Sequence, residues 1–243
     1  MEHAEILRLL RFEPTAHAAF IDELLRDRVA PSIAAHPLNR DVYVARQGSE
    51  AGDARVVASV WADGGEGGEG PAALPETDAL RDAGIELTAE PTVIVSGPLR
   101  ISLRFPRTAA LASLIRVFHG EIVPGHEDEY IELVRAGAIA DGEANDGTVG
   151  LHLAMTEPHR FVTVSAWRDW TAIEQATGGD VRRPMATRHA HMLAAYRIEH
   201  FEAITGLRSD AAAPASETPS VLPDGGVASP ILPSVSVAML AVE

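Results

Sequence analysis

Three short stretches near the start of the 243-residue chain recur, in the same order, further along it. Ile6-Leu7-Arg8-Leu9-Leu10-Arg11 matches Leu114-Ile115-Arg116-Val117-Phe118-His119. Phe20-Ile21-Asp22-Glu23-Leu24-Leu25 matches Tyr130-Ile131-Glu132-Leu133-Val134, and Val57-Ala58-Ser59-Val60-Trp61-Ala62-Asp63 matches Thr163-Val164-Ser165-Ala166-Trp167-Arg168-Asp169. One such match would be chance. Three collinear ones with similar spacing mark a tandem repeat.

Each copy reads as β-α-β-β-α-β. In the first, Ile6–Phe12 is a strand and Ala16–Ala35 a helix, with Pro31 bending or interrupting it. Asp41–Arg46 and Arg55–Trp61 follow as β-branched, partly alternating strands. The glycine-rich Gly64–Gly70 is a loop. Leu74–Gly84 is a short or degraded second helix and Thr92–Ser96 the fourth strand. Leu99–Phe105 reads as an extra strand leading into the second copy. There, Ser113–Ile122 is a strand, Pro124-Gly125 a turn, and His126–Ala140 a helix with Glu127, Asp128 and Glu129 at its positive end. Val149–Met155 and Phe161–Trp167 are strands. Asp169 is the N-cap of a helix from Trp170 that Gly178-Gly179 interrupts. Pro184–Ala195 reads as helical again, and Tyr196–Ile204 as the last strand.

A βαββαβ unit covers only one face of its antiparallel sheet with helices, leaving the other apolar. A second unit supplies the cover. The expected class is therefore α+β, with two ferredoxin-like repeats packed sheet to sheet as an intramolecular dimeric α/β barrel. The divisions are 1–106, 107–206 and a tail at 207–243. Ser209–Pro233, rich in Ala, Pro and Ser, reads as linker or disorder. The apolar Ser234–Val242 either docks as a strand or is a loose end.

Composition narrows the function classes. Lys+Arg is 20 against 35 Asp+Glu, a net charge of −15, which disfavours nucleic acid and anionic membranes as partners. Cysteine is absent, excluding disulfides, thiolate catalysis and Cys-ligated metals. The acidic start Met1-Glu2-His3-Ala4-Glu5 lacks a signal-peptide pattern, and no run is long enough to span a membrane, so a cytoplasmic protein is expected. Nucleotide-binding, nucleophile-elbow and zincin motifs are missing.

Residues 113–204 resemble the antibiotic biosynthesis monooxygenase family of dimeric α/β-barrel proteins. The resemblance is carried by Ile115-Arg116-Val117 with Gly120, by Pro124-Gly125-His126-Glu127-Asp128-Glu129-Tyr130, and by Val162–Asp169. It continues through Ile173, Ala176-Thr177-Gly178 and Ile198-Glu199-His200-Phe201-Glu202. The first copy, near 5–96, is a divergent match through Trp61 and Asp63, and its second helix suggests a structural role. The resemblance implies cofactor-independent oxygenation of polyketide quinols and related aromatics, or haem binding or degradation. The haem-degrading branch has an Asn on its first strand, a Trp within its second helix and a His at that helix's end. Here the first strand offers Arg116 and His119, Ala176 lies near the Trp position, and only His189 matches.

Alternation puts Arg116 and Phe118 on one face of their strand, and His119 on the other with Ile115 and Val117. Thr163, Ser165 and Trp167 face together. Trp167 is either a core residue shared with Trp61 or a stack for a flat substrate. His119, His152 and His200 lie on three strands and could point into a common space, where a base of near-neutral pKa would deprotonate a phenol or quinol; structural histidines are the other reading. His189 and His191, two apart, point to different faces of a helix and make no metal pair. Arg182-Arg183 is an exposed pair or a contact for an acidic ligand.

The expectation is a monooxygenase acting without cofactor on a small aromatic or polyketide-type molecule. His119 or His152 would be base, Arg116 would stabilise oxyanion charge, and Trp167, His189 and His200 would contact substrate. The alternatives are a non-catalytic ligand-binding or structural barrel, or a haem protein. The chain would be a monomeric pseudo-dimer or a homodimer of one.

Overall fold

A computed structural model describes residues 5–15, 18–48, 54–62, 74–105, 112–144, 146–184 and 187–208. The glycine-rich loop at 64–70 and residues 209–243 of the tail lie outside these, whereas Leu207 and Arg208 belong to the last strand. Eight strands close into one barrel: β1 (Glu5–Phe12), β2 (Asn39–Gln47), β3 (Arg55–Ala62), β4 (Thr92–Arg104), β5 (Leu114–Ile122), β6 (Thr148–Glu157), β7 (Arg160–Trp167) and β8 (Leu193–Arg208). Around the barrel they run β1-β3-β2-β8-β5-β7-β6-β4, and every pairing is antiparallel. Each repeat thus contributes four adjacent strands in the same order.

The seams between repeats are made by its longest strands. β4 pairs with β1 through Pro98 and with β6 from Leu99 onward. The extra strand expected at Leu99–Phe105 is therefore the far end of β4, carried across to the other repeat. Gly97 sits at that crossing, where a Cβ would come within 2.9 Å of the Met155 carbonyl oxygen. β8 does the same at the opposite seam, pairing with β5 along its first part and with β2 through Arg208. It is longer than Tyr196–Ile204 because backbone polar groups at a closed seam need partners. It also begins where a helix was expected. Within Pro184–Ala195 the described coil is only a 3-10 turn, Thr187–Met192.

Period-two alternation sorts the strand residues between two environments. The barrel interior takes Leu7, Leu9, Tyr43, Ala58, Val60, Ile115, Val117, Val162, Val164 and Phe201. The opposite faces pack under helices. In the first repeat these are α1 (Ala18–Leu24), a π turn (Leu25–Val29), α2 (Ala30–Ala34) and α3 (Pro75–Asp82). Pro31 explains the π turn. In a regular helix its ring would collide with the carbonyl four residues back. Instead Ala30 N donates to the Leu25 oxygen five back, and the helix continues through the wider turn.

In the second repeat the cover is α4 (Glu127–Ala144) and α5 (Trp170–Thr177). Asp169 caps α5 as the sequence suggests, accepting from Ala172 N at 2.8 Å, and Gly178 ends it at φ 70°. Trp61 and Trp167 are fully buried under the helices of their own repeats. Each indole removes on the order of 200 Å² from water, worth roughly 5 kcal/mol before entropic costs.

Candidate functional site

Residues directly opposite on neighbouring strands share a face. Arg8 stands opposite Ser59, and Arg116 opposite Ser165, so the repeat brings one Arg-Ser-Trp group to the helix-covered face of each half. The internal geometry is conserved too. Trp61 Nε1 donates to Ser59 Oγ at 2.8 Å, and Trp167 Nε1 to Ser165 Oγ at 2.8 Å.

The two groups differ in what faces them. In the first repeat α3 delivers Glu76, fully buried, into the centre of the group. Its Oε1 accepts from Ser59 Oγ at 2.5 Å and from Trp61 Nε1 at 2.9 Å, while Oε2 lies 3.8 Å from Arg8 Nη1. In the second repeat α5 brings Ala172 and Ile173 against Trp167. Its acidic groups are turned elsewhere: Asp169 engages the helix N-terminus and Arg168, and Glu174 is exposed.

Arg116 therefore has no carboxylate partner among the described residues. It is 3% exposed, donates from Nη2 to the Arg183 carbonyl at 2.5 Å, and lies 5.9 Å from the Phe118 ring centroid, while its Nε has no hydrogen-bond partner. Burial pulls its pKa down to about 10, so it remains a cation at neutral pH. The main-chain oxygen of Arg183 is what the Arg182-Arg183 pair contributes here; the Arg183 side chain pairs with Asp180.

His200 is the cross-strand neighbour of Arg116 on β8 and shares its face. Burial, and then the Arg116 charge, lower it to about 4, so it is a neutral imidazole, and its Nε2 has no partner among the described residues. Trp170, the first residue of α5 and 46% exposed, packs on it with ring centroids 5.0 Å apart. Phe118 stacks on the half-exposed Tyr196 at 5.7 Å. From α4, Tyr130 is buried near Arg116; burial raises its hydroxyl pKa and the Arg116 charge opposes that rise. The result is a buried cation and a neutral imidazole beneath a partly open aromatic rim.

His119 and His152 are not part of this group. His119 stands opposite Val162 and His152 opposite Val164, both interior residues, so these histidines point into the barrel while His200 points out. The common space expected for the three does not form, because the strand registers give His200 the opposite parity. His119 Nε2 lies 3.2 Å from Glu199 Oε2, and Glu199 also receives Arg11 and Arg197. His152 is buried beside Asp41, with Nε2 to Oδ2 at 3.8 Å, its Nδ1 3.2 Å from Ser102 Oγ and its ring 6.3 Å from that of Tyr43. Burial drives His152 down to about 4. Burial alone would raise Asp41, but His152, Arg104 and Arg208 hold it below the usual carboxylate range. The side chain of His189 lies outside the described residues.

Two contributors escaped the sequence reading as site residues. Trp170 reads in the sequence only as the start of a helix. Glu76 sits in a helix that seemed degraded, and its one signal was an acid at a position a covering helix must bury. Among the described residues no cluster of His, Asp or Glu has a metal-holding arrangement, and no helix is long and apolar enough to cross a membrane.

No family model and no curated protein matches the sequence. Solved structures do. A candidate monooxygenase of Fusobacterium nucleatum superposes with a TM-score of 0.65 at 12% identity, over 86% of this chain and 96% of that one. One from Lactobacillus acidophilus gives 0.65 at 11%, over 84% and 96%. An anthrone oxidase-like protein gives 0.51 at 12%, over 86% and 95%. At such identities the likeness is one of fold alone: like these proteins, the chain is a ferredoxin-like tandem repeat closed into an α/β barrel.

Of the three positions that the resemblance sets against the haem-degrading branch, the described residues cover those on β5 and α5, and the side chain of His189 lies outside them. Where that branch places a neutral amide on the first strand, the candidate on β5 is Arg116, a buried cation. Ala176, near the position of the branch's Trp, is partly buried against Trp167 and its neighbours.

Proposed function

We propose that the chain is a monooxygenase that uses no bound cofactor and acts on a small aromatic or polyketide-type molecule in the second repeat. The observation that carries this reading is Arg116, a buried cation with no carboxylate partner among the described residues, next to a neutral imidazole and under aromatic rings. A cation in low dielectric strongly favours an anionic oxygen on a bound ligand. Trp170 and Tyr196 offer flat surfaces to an aromatic substrate.

His200 replaces His119 and His152 as the proton acceptor. Its low basicity is set by burial and then by Arg116, and an anion neutralising that charge would raise it. The deprotonated substrate then reduces oxygen; one oxygen atom enters the product and the other leaves as water, the substrate losing two hydrogens. The likeness to an anthrone oxidase-like protein supports this substrate class.

The test is oxygen uptake with anthrone and with carboxylated and plain hydroquinones. Turnover by the metal-free chain, lowered by about 100-fold or more in Arg116→Gln, is expected. Absence of uptake with every substrate would leave a ligand-binding barrel as the better account.

A further inference from the structure

Glu76 shows what the Arg-Ser-Trp group binds. It is a carboxylate held by the first repeat's own version of the group: Oε1 takes the serine hydroxyl and the indole N–H, and Oε2 faces the arginine. In the second repeat the arginine, serine and tryptophan recur with the same strand register and the same indole-to-serine bond. No described side chain supplies the acid.

From this juxtaposition we infer that the ligand of the second repeat carries a planar carboxylate, which takes beside Arg116, Ser165 and Trp167 the place that Glu76 takes beside Arg8, Ser59 and Trp61. The first repeat is then the same receptor closed by its own side chain, which accounts for a buried acid on a short helix. Arg116 anchors the carboxylate, and His200 and Trp170 face the ring that bears it. A planar acceptor with two oxygens suits the guanidinium fork better than a single phenolate oxygen. An aryl carboxylate is therefore the class assigned. The inference rests on the reading above only in placing the ligand in the second repeat.

The experiment is calorimetric titration of the full chain with benzoate and with its neutral counterpart benzamide, together with thermal melting. Benzoate should saturate at one per chain, benzamide should not bind, and Arg116→Gln should weaken benzoate at least tenfold. Glu76→Ala should melt lower than wild type, recover part of the loss when benzoate is added, and bind a second equivalent. Equal binding of benzoate and benzamide, or benzoate binding untouched by Arg116→Gln, overturns the assignment. Should Glu76→Ala not fold, the Arg116→Gln arm decides alone. Benzoate binding without oxygen uptake on any substrate sinks the oxygenase reading and keeps the carboxylate one. Uptake of carboxyl-free substrates without benzoate binding does the reverse.

Discussion

Arg104 and Arg208, the last residues of β4 and β8, grip opposite oxygens of a single carboxylate, that of Asp41: Arg104 Nε reaches Oδ2 at 2.5 Å and Arg208 Nε reaches Oδ1 at 3.0 Å. One arginine comes from each repeat, so this buried acid ties the two halves together where their long strands end. Removing it takes a carboxylate from both arginines, of which Arg104 keeps Glu5 and Arg208 keeps the Phe105 main-chain oxygen. Asp41→Ala should cost about 3–5 kcal/mol of unfolding free energy, measurable by urea denaturation. A loss under about 1 kcal/mol would mean that the strand seams hold without it.

Acid should weaken the fold through two histidines of lowered basicity. Burial lowers His152 to about 4 from the ordinary histidine value near 6.5, and His200 likewise. Between those values the unfolded chain binds protons that the folded chain refuses. Stability is therefore complete above about pH 6.5 and lost as pH falls toward 4, by roughly 3 kcal/mol at most for His152. Protonation of Asp41, also lowered, extends the loss below the usual carboxylate range. Urea midpoints across this window check the slope, and a His152→Phe variant that remains folded should flatten it.

Two glycines of α4 should respond oppositely to the same change. At Gly137 a Cβ meets nothing within 4 Å, so Gly137→Ala should stabilise by about 0.5–1 kcal/mol through helix propensity. At Gly142 it would fall 1.9 Å from the Phe105 ring. The clash outweighs the propensity gain, and Gly142→Ala should destabilise by about 1–3 kcal/mol. Thermal melting of the pair suffices.

Trp170 should matter for ligands more than for folding. Its ring is nearly half exposed and rests on His200. Trp170→Ala should shift the melting temperature little yet weaken binding of an aromatic ligand by about five- to tenfold, as loss of a stacked ring costs roughly 1 kcal/mol. Unchanged affinity would remove it from the rim.

The repeat made the architecture legible, because strand order and helix cover follow from two collinear βαββαβ units. Alternation along β5 also placed Arg116 with Phe118 and apart from His119. Register between distant strands was hidden. Only the β5–β8 pairing shows that His200 joins Arg116, and only the β6–β7 pairing turns His152 inward. Leu99–Phe105 reads as a separate strand because the seam partner of that end of β4 lies in the other repeat. Glu76 was illegible for a related reason. A lone acid in a weak helix gains meaning only when the serine, indole and arginine it meets are brought under it.

A barrel assembled from identical chains would carry every residue twice, and Asp41 is a residue it could not repeat freely. The corresponding position is Gly150, since Asp41 pairs with Val60 just as Gly150 pairs with Ala166. A second acid there would crowd two negative charges around one arginine pair. Linking both units in one polypeptide releases the chain from that symmetry. One half can spend its binding group on itself and serve as scaffold while the other stays receptive, and each can acquire substitutions without imposing them on its twin.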